Sequence, residues 1–280
     1  MDINSAYQEA IDFAKNHYEN FPVVSLLVPK PLRKHIAVIY WFARTADDIA
    51  DEGSFPLRDR IDMLDKFEER LTALLHGNFA SSFELALHST IKTKNLSQEH
   101  FYNLLKAFKQ DVIKKRYKNY EELICYCKNS ANPVGRLILE LNGKRNVEAI
   151  NLSDKICTAL QLTNFWQDTE IDFRKGRIYY PEDEMENFKV TEKMFELNEN
   201  NLNLRALVKH NVEKTKNLFN EGEKLIEYLS GRIKYEIKWT ILGGKSILKR
   251  IEKNNYNVLQ SRPALTKKDF FILLFKSFLV

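Results

Sequence analysis

Apolar residues recur along almost the whole chain at intervals of three and four, as in Ile36, Ile39, Tyr40 and Ala43, and in Met63, Leu64, Phe67, Leu71, Leu74 and Leu75. That spacing puts them on one face of an α-helix and predicts a succession of amphipathic helices. Breaks fall at Pro22, at Pro29 and Pro31, across Gly53 to Pro56, His76 to Asn78 and Asn95 to Ser97, near Gly143 to Arg145, and across Gly176 to Asp183. They delimit about eight to ten helices. Ser97 with His100 makes a poor capping box, whereas Asn151, Ser153 and Asp154 are expected to start a helix before the apolar run Ile156 to Phe165. No Ser/Gly linker, low-complexity tract or fixed-period repeat divides the sequence, so residues 1–280 read as one all-α domain.

Composition supports this. Nine Gly and seven Pro in 280 residues argue against a turn-rich β architecture, and a hydrophobic content of 44% supplies a core and excludes disorder. The net charge of +5 is too small to indicate nucleic-acid binding without a basic patch, and none is found. Cys125, Cys127 and Cys157 are an odd count with a C-x-C pair, which fits neither a disulfide framework nor a zinc or redox motif. Burial as small hydrophobes is the expectation for all three. Met1 to Ala10 holds two acids and no base, unlike a secretory or transit peptide, and the expected location is the cytoplasm.

The segment 270–280, FFILLFKSFLV, reaches only about 16 Å as a helix against ~30 Å for a bilayer core, so it cannot span a membrane. With Lys267 and Lys268 before it, it suits peripheral docking on an anionic membrane surface and equally suits packing as a terminal helix. RPALTKKD just upstream reads as the turn leading into that helix.

Two acidic runs carry the candidate chemistry. In YWFARTADDIADE, Asp47 and Asp51 stand at i and i+4, and Asp48 and Glu52 repeat that spacing one step round. Like charges so placed repel, and solvent or a cation must compensate. In NFWQDTEID, Asn164, Asp168 and Asp172 form an oxygen-bearing stripe on a segment kept apolar by Leu160, Leu162, Phe165 and Trp166. Carboxylates on a largely buried helix are costly unless paired or metal-bound. Two such stripes on different helices can share a metal site inside a bundle, and oxygen-only ligands favour Mg²⁺, or Mn²⁺, over zinc. The six histidines are scattered with no i, i+4 partner, so no histidine metal site is expected. Arg44, three residues before Asp47, and Lys175 and Arg177 after Asp172 are either surface charges or phosphate contacts.

These motifs resemble the squalene and phytoene synthases, all-helical, Mg²⁺-dependent enzymes of prenyl diphosphates. YWFARTADDIADE is similar to the family's first aspartate-rich motif, and QLTNFWQDTEIDFRKGRIYYPEDE to its second. YCKNSANPVGRL lies where the family has a tyrosine followed by V-A-G-x-V-G, and FPVVSLLVPKPLRKH carries its serine and P-x-x-x-R flank at Ser25 and Arg33. The resemblance implies a single-domain isoprenoid-synthase-type helical bundle with a central active-site cavity. It implies Asp47, Asp48, Asp51, Asn164, Asp168 and Asp172 as Mg²⁺ ligands, and Ser25, Arg33, Arg44, Lys175, Arg177 and Tyr179 as diphosphate contacts. Tyr126 and Gln161 would line the reaction centre.

Two departures narrow the resemblance. Gln167 replaces the arginine of the family's N-x-x-R-D, and Pro133 replaces the glycine in SANPVG. Both resemble the hydroxysqualene synthase branch of bacterial hopanoid pathways, which implies conversion of presqualene diphosphate and water to hydroxysqualene without NADPH. Gln167 would position the quenching water. Phe42, Phe165, Trp166, Tyr126 and Tyr179 would stabilise a carbocation, at ~0.5 to 2 kcal/mol each, or simply fill the core. The alternatives are a head-to-head synthase joining two farnesyl or geranylgeranyl diphosphates to squalene or phytoene, and a catalytically silent helical assembly factor. Expected partners are presqualene or farnesyl diphosphate, a membrane surface and pathway enzymes.

Overall fold

The computed structural model describes residues 2–17 and 27–279, and all regular structure among the described residues is helical. In chain order the helices are α1 (Ile3–Asn16), α2 (Lys30–Asp51), α3 (Leu57–Leu75), α4 (Ser82–Lys94), α5 (Glu99–Ile113), α6 (Tyr120–Ser130) and α7 (Asn132–Leu141). There follow α8 (Val147–Gln167), α9 (Thr169–Arg174), α10 (Glu182–Asn187), α11 (Glu192–Glu196), α12 (Leu202–Gly222), a 3₁₀ turn (Glu223–Tyr228), α13 (Gly231–Lys253) and α14 (Lys267–Phe278). The predicted breaks from Gly53 onward separate these helices, but Pro31 and Pro133 sit in the first turns of α2 and α7, where proline's missing N–H costs nothing. The break expected at Pro22 lies outside the described residues.

Packing gathers the chain into two compact units, Met1–Ile113 with Pro133–Asn146, and Lys114–Asn132 with Val147–Val280. In the first, α2 is the central helix and packs on α1, α3, α4 and α5. Ala37, Val38, Phe42 and Ala46 are fully buried along it, and Phe42 packs between Phe67 (5.2 Å) and Phe101 (5.1 Å, edge-on). In the second unit α8 is central and packs on α6, α12, α13 and the 3₁₀ turn. Close approach to it depends on two glycines. A Cβ on Gly222 would meet Ile156 Cγ1 of α8 at 2.8 Å, and one on Gly244 would meet Leu160 Cδ2 of α8 at 3.0 Å as well as Phe219 Cζ of α12 at 2.5 Å.

Each acidic run therefore ends the central helix of its own unit. The apolar faces that bury these helices also hold their polar ends in place.

Two expectations need correction. Asn151, Ser153 and Asp154 lie inside α8, which starts at Val147, because the stripe Ala149, Leu152 and Ile156 continues the helix through them. Of the cysteines only Cys127 is buried; Cys125 points outward from α6 and Cys157 is half-buried.

Candidate active site

Asp47, Asp48 and Asp51 lie half-buried on the last turn and a half of α2, and Glu52 is its C-cap. A helix C-terminus carries the negative end of the macrodipole, and α2 has no basic residue in its last turn, so carboxylates there are doubly disfavoured. Arg44, earlier on the same helix, offsets part of this: it lies 2.6 Å from Asp48, 3.7 Å from Asp47, and pairs with Glu52. Arg44 is thus enclosed by the acids. Burial still pushes the Asp48 carboxyl above its ordinary range, with Arg44 opposing and Glu52 adding to the shift. Asp48 Oδ1 is buried without an aligned hydrogen bond.

Sequence reasoning overlooked Arg60. This buried α3 residue donates from Nη1 to Ile49 O (2.9 Å), from Nη2 to Gly53 O (2.7 Å) and from Nε to Phe55 O (3.2 Å). It ties down the end of α2 and the turn that follows. Arg33, also in this unit, donates from Nε to Val28 O at 3.0 Å, bracing the entry to α2. Ser25 lies outside the described residues.

The second run crosses a helix junction rather than following one helix. α8 ends at Gln167 and Asp168 is the N-cap of α9. The bonds Asp168 N to Asn164 O and Asp172 N to Asp168 O, both 2.8 Å, carry the i to i+4 register through the junction. The stripe is therefore kept, with Asn164 exposed and both aspartates half-buried.

The segment between α13 and α14 closes on this junction. Gln167 is buried and its Nε2 donates to Pro263 O at 2.6 Å, so one of its two amide N–H groups anchors backbone. Next to it, Arg262 pairs with Asp168, Nε to Oδ1 at 2.5 Å and Nη2 to Oδ2 at 3.3 Å. RPALTKKD is more than a turn, since its first two residues bind the two central residues of the motif. A polar cavity of about 320 Å³ lies alongside, bordered by Gln167, Glu170, Arg174, Gln260 and Arg262.

An aromatic wall adjoins the same motif. Phe165 and Tyr179 stack face to face at 3.6 Å, with Tyr126 at 6.1 Å from Phe165 and 6.3 Å from Tyr179. Tyr117 stacks on Tyr179 at 5.8 Å. Phe165, Asp172, Arg177 and Tyr179 line one narrow crevice, and Arg177 is buried with its N–H on Asp172 O. Gln161 is half-buried one turn before Phe165, and Lys175 is exposed at the end of α9. Two of the expected aromatics are core. Trp166 is fully buried with its indole N–H on Thr215 Oγ1 (2.8 Å), and Phe42 is enclosed by Phe67 and Phe101.

The donors of both runs are oxygen only, as small hard cations require. Among the described residues no three His, Cys, Asp or Glu converge tightly enough to hold an ion alone. Mg²⁺ takes one or two carboxylates and leaves its other positions to water and substrate phosphate, and oxygen-only donors are the kind it uses. The residues fit such an ion.

Residues 14–269 match the model of the squalene/phytoene synthase family. The chain belongs to that family. Among family members, the hydroxysqualene synthase of Zymomonas mobilis subsp. mobilis is 38% identical over 188 residues, 65% of this chain and 62% of its own. The aligned stretch is under two thirds of that enzyme's length. The 15-cis-phytoene synthase of Synechocystis sp. is 28% identical over 272 residues, 93% of this chain and 80% of its own. The crystal structure of squalene synthase HpnC from Alicyclobacillus acidocaldarius matches with a TM-score of 0.86 at 36% identity, covering 91% of this chain and 96% of that one. The fold is the all-α fold of these synthases.

Proposed function

We propose that this chain converts presqualene diphosphate and water to hydroxysqualene and diphosphate. The observation that carries the reading is the gradient of similarity: 38% identity to the hydroxysqualene synthase, against 28% to the phytoene synthase. Gln167 and Pro133, at the two positions where the sequence departs from the common family pattern, support it.

In this reading the C–O bond to diphosphate breaks with its electron pair leaving on oxygen. The cyclopropylcarbinyl cation rearranges, a water oxygen bonds to carbon, and the water's proton leaves to diphosphate or solvent. Asp47, Asp48 and Asp51 on the first unit, and Asp168, Asp172 and the Asn164 amide oxygen on the second, are the residues that would hold Mg²⁺, which would supply charge neutralisation for the departing diphosphate. Arg44, Lys175 and Arg177 supply the remaining positive charge for phosphate oxygens. Tyr126, Phe165 and Tyr179 would set aromatic rings beside the cation, with hydroxyl tips from the two tyrosines only. Gln161 lines the same centre. NADPH is not required, because no hydride enters the product.

A second reading, a head-to-head synthase condensing two allylic diphosphates, is favoured by the phytoene synthase alignment, which runs over 93% of this chain. Incubation with farnesyl diphosphate and Mg²⁺ alone separates the two. The first reading requires the substrate to survive; the second requires its consumption with release of diphosphate. The proposed setting is the cytoplasm, next to the condensing enzyme that supplies a cyclopropyl C30 diphosphate.

A further inference from the structure

α14 is apolar on both faces. Its inner face packs on α13: Leu273 and Ser277 are buried, Trp239 donates to Phe270 O at 3.2 Å with its ring edge-on to Phe270 at 6.3 Å, and Tyr235 lies 4.8 Å from Phe278. The terminal-helix reading is therefore correct as far as it goes. It leaves a second row unaccounted for. Phe271 is 64% exposed, Phe275 70% and Leu279 79%, with Ile272 and Phe278 beside them. A surface helix turns polar residues outward, and one that is apolar all round needs a cover on each side.

The charges on that outer face are of one sign. Lys267, Lys268 and Lys276 are exposed on α14, whereas its acid, Asp269, caps the helix and pairs with Arg250 at 2.7 Å. Beside the end of the helix runs a groove of about 540 Å³ lined by Ile226, Ile241, Leu242 and Leu279, with Lys238 and Lys276 along it. Its acid, Glu223, is paired with Lys245 at 2.6 Å.

We propose that the outer face of α14 and this groove form a docking surface for an anionic lipid bilayer. Twelve residues give a helix about 18 Å long, which lies in the plane of an interface with its aromatic row at the acyl boundary and its lysines at the phosphates. No helix among the described residues is long and apolar enough to cross a membrane, which agrees with a peripheral attachment. A second copy of this chain is the poorer occupant. A two-fold contact through this face would set the same lysines against each other with no acid of the face left to pair them. The inference does not rest on the proposed reaction.

The test is co-sedimentation of the full chain with vesicles of 7:3 phosphatidylcholine and phosphatidylglycerol, against pure phosphatidylcholine. The face predicts partitioning about tenfold stronger on the anionic vesicles and lowered by added salt. Phe271→Ser with Phe275→Ser keeps the charge and removes the apolar row. Binding should fall about tenfold while the thermal melt stays unchanged, because both side chains point outward. Lys267→Gln with Lys268→Gln should remove most of the preference for the anionic lipid. Undiminished vesicle binding by the double Phe variant overturns the proposal, as does failure of the unsubstituted chain to bind anionic vesicles. A concentration-dependent dimer in light scattering, abolished by the Phe variant in place of vesicle binding, overturns it in favour of a second copy.

Discussion

Arg262 holds Asp168 by both carboxylate oxygens, although 94 residues separate them in sequence. The adjacent bond from Gln167 to Pro263 makes this a two-point closure of the last inter-helical segment onto the second acidic motif. Both partners of the ion pair are partly exposed, so the pair itself is modest. Its consequence is competition: a metal ion held by Asp168 would compete with the guanidinium for the carboxylate oxygens. Arg262→Gln is expected to tighten Mn²⁺ binding to the substrate-free protein by about two- to fivefold, with stability within ~1 kcal/mol. Electron paramagnetic resonance titration of Mn²⁺ reads this directly, and weaker binding in the variant contradicts the competition.

Arg60 makes a different prediction. It gathers the carbonyls of Ile49, Gly53 and Phe55, so Arg60→Met leaves three acceptors without their donor at the end of the helix that carries Asp47 to Asp51. The expected loss of stability is about 2 to 4 kcal/mol in urea denaturation. A midpoint equal to that of the unsubstituted chain contradicts the assigned role.

His35 sets an acid limit on the first unit. It is buried on α2, its Nδ1 3.1 Å from Thr90 Oγ1 and its ring edge-on to Tyr7. Burial first, then the charges of Lys94 and Lys34, lowers its pKa from 6.5 to about 4. The unfolded chain thus binds this proton near pH 6.5 and the folded chain only near pH 4. Its share of stability is complete above 6.5 and is lost as pH falls toward 4, a span of about 3 kcal/mol. Melting temperatures measured across that window should fall less steeply for His35→Gln than for the parent; parallel curves contradict the assignment.

Removing carboxylates separates catalysis from folding. Asp47→Asn relieves like-charge crowding and Asp168→Asn gives up only a partly exposed ion pair, while both weaken the hold on Mg²⁺, so turnover should drop on the order of 100-fold with the helical fold retained. Circular dichroism checks the fold and a diphosphate-release assay checks the rate. Normal Mg²⁺-dependent release by the double variant would refute the metal assignment.

The helices were legible because each buries one face of period 3.6. Ile36 and Ile39 on α2, and Leu64, Leu71 and Leu74 on α3, are buried as their spacing requires. The acids of the site were legible for a related reason, since clustered carboxylates on apolar helices demand an explanation. Two arginines that hold those segments in place were not. Arg60 and Arg262 reach their partners through a turn and through a long chain reversal, and no local pattern marks them. Trp166 shows the opposite failure: in sequence it is indistinguishable from a site aromatic, and only the hydrogen bond to Thr215 in a closed core assigns it to packing.

The central claim is that water captures a cation derived from presqualene diphosphate. Incubating the purified chain with presqualene diphosphate and Mg²⁺ in ¹⁸O-labelled water, followed by mass spectrometry, tests it most directly. The prediction is hydroxysqualene carrying one ¹⁸O, with farnesyl diphosphate left intact in a parallel tube. Squalene, dehydrosqualene or an unlabelled alcohol from presqualene diphosphate, or condensation of farnesyl diphosphate, would contradict it.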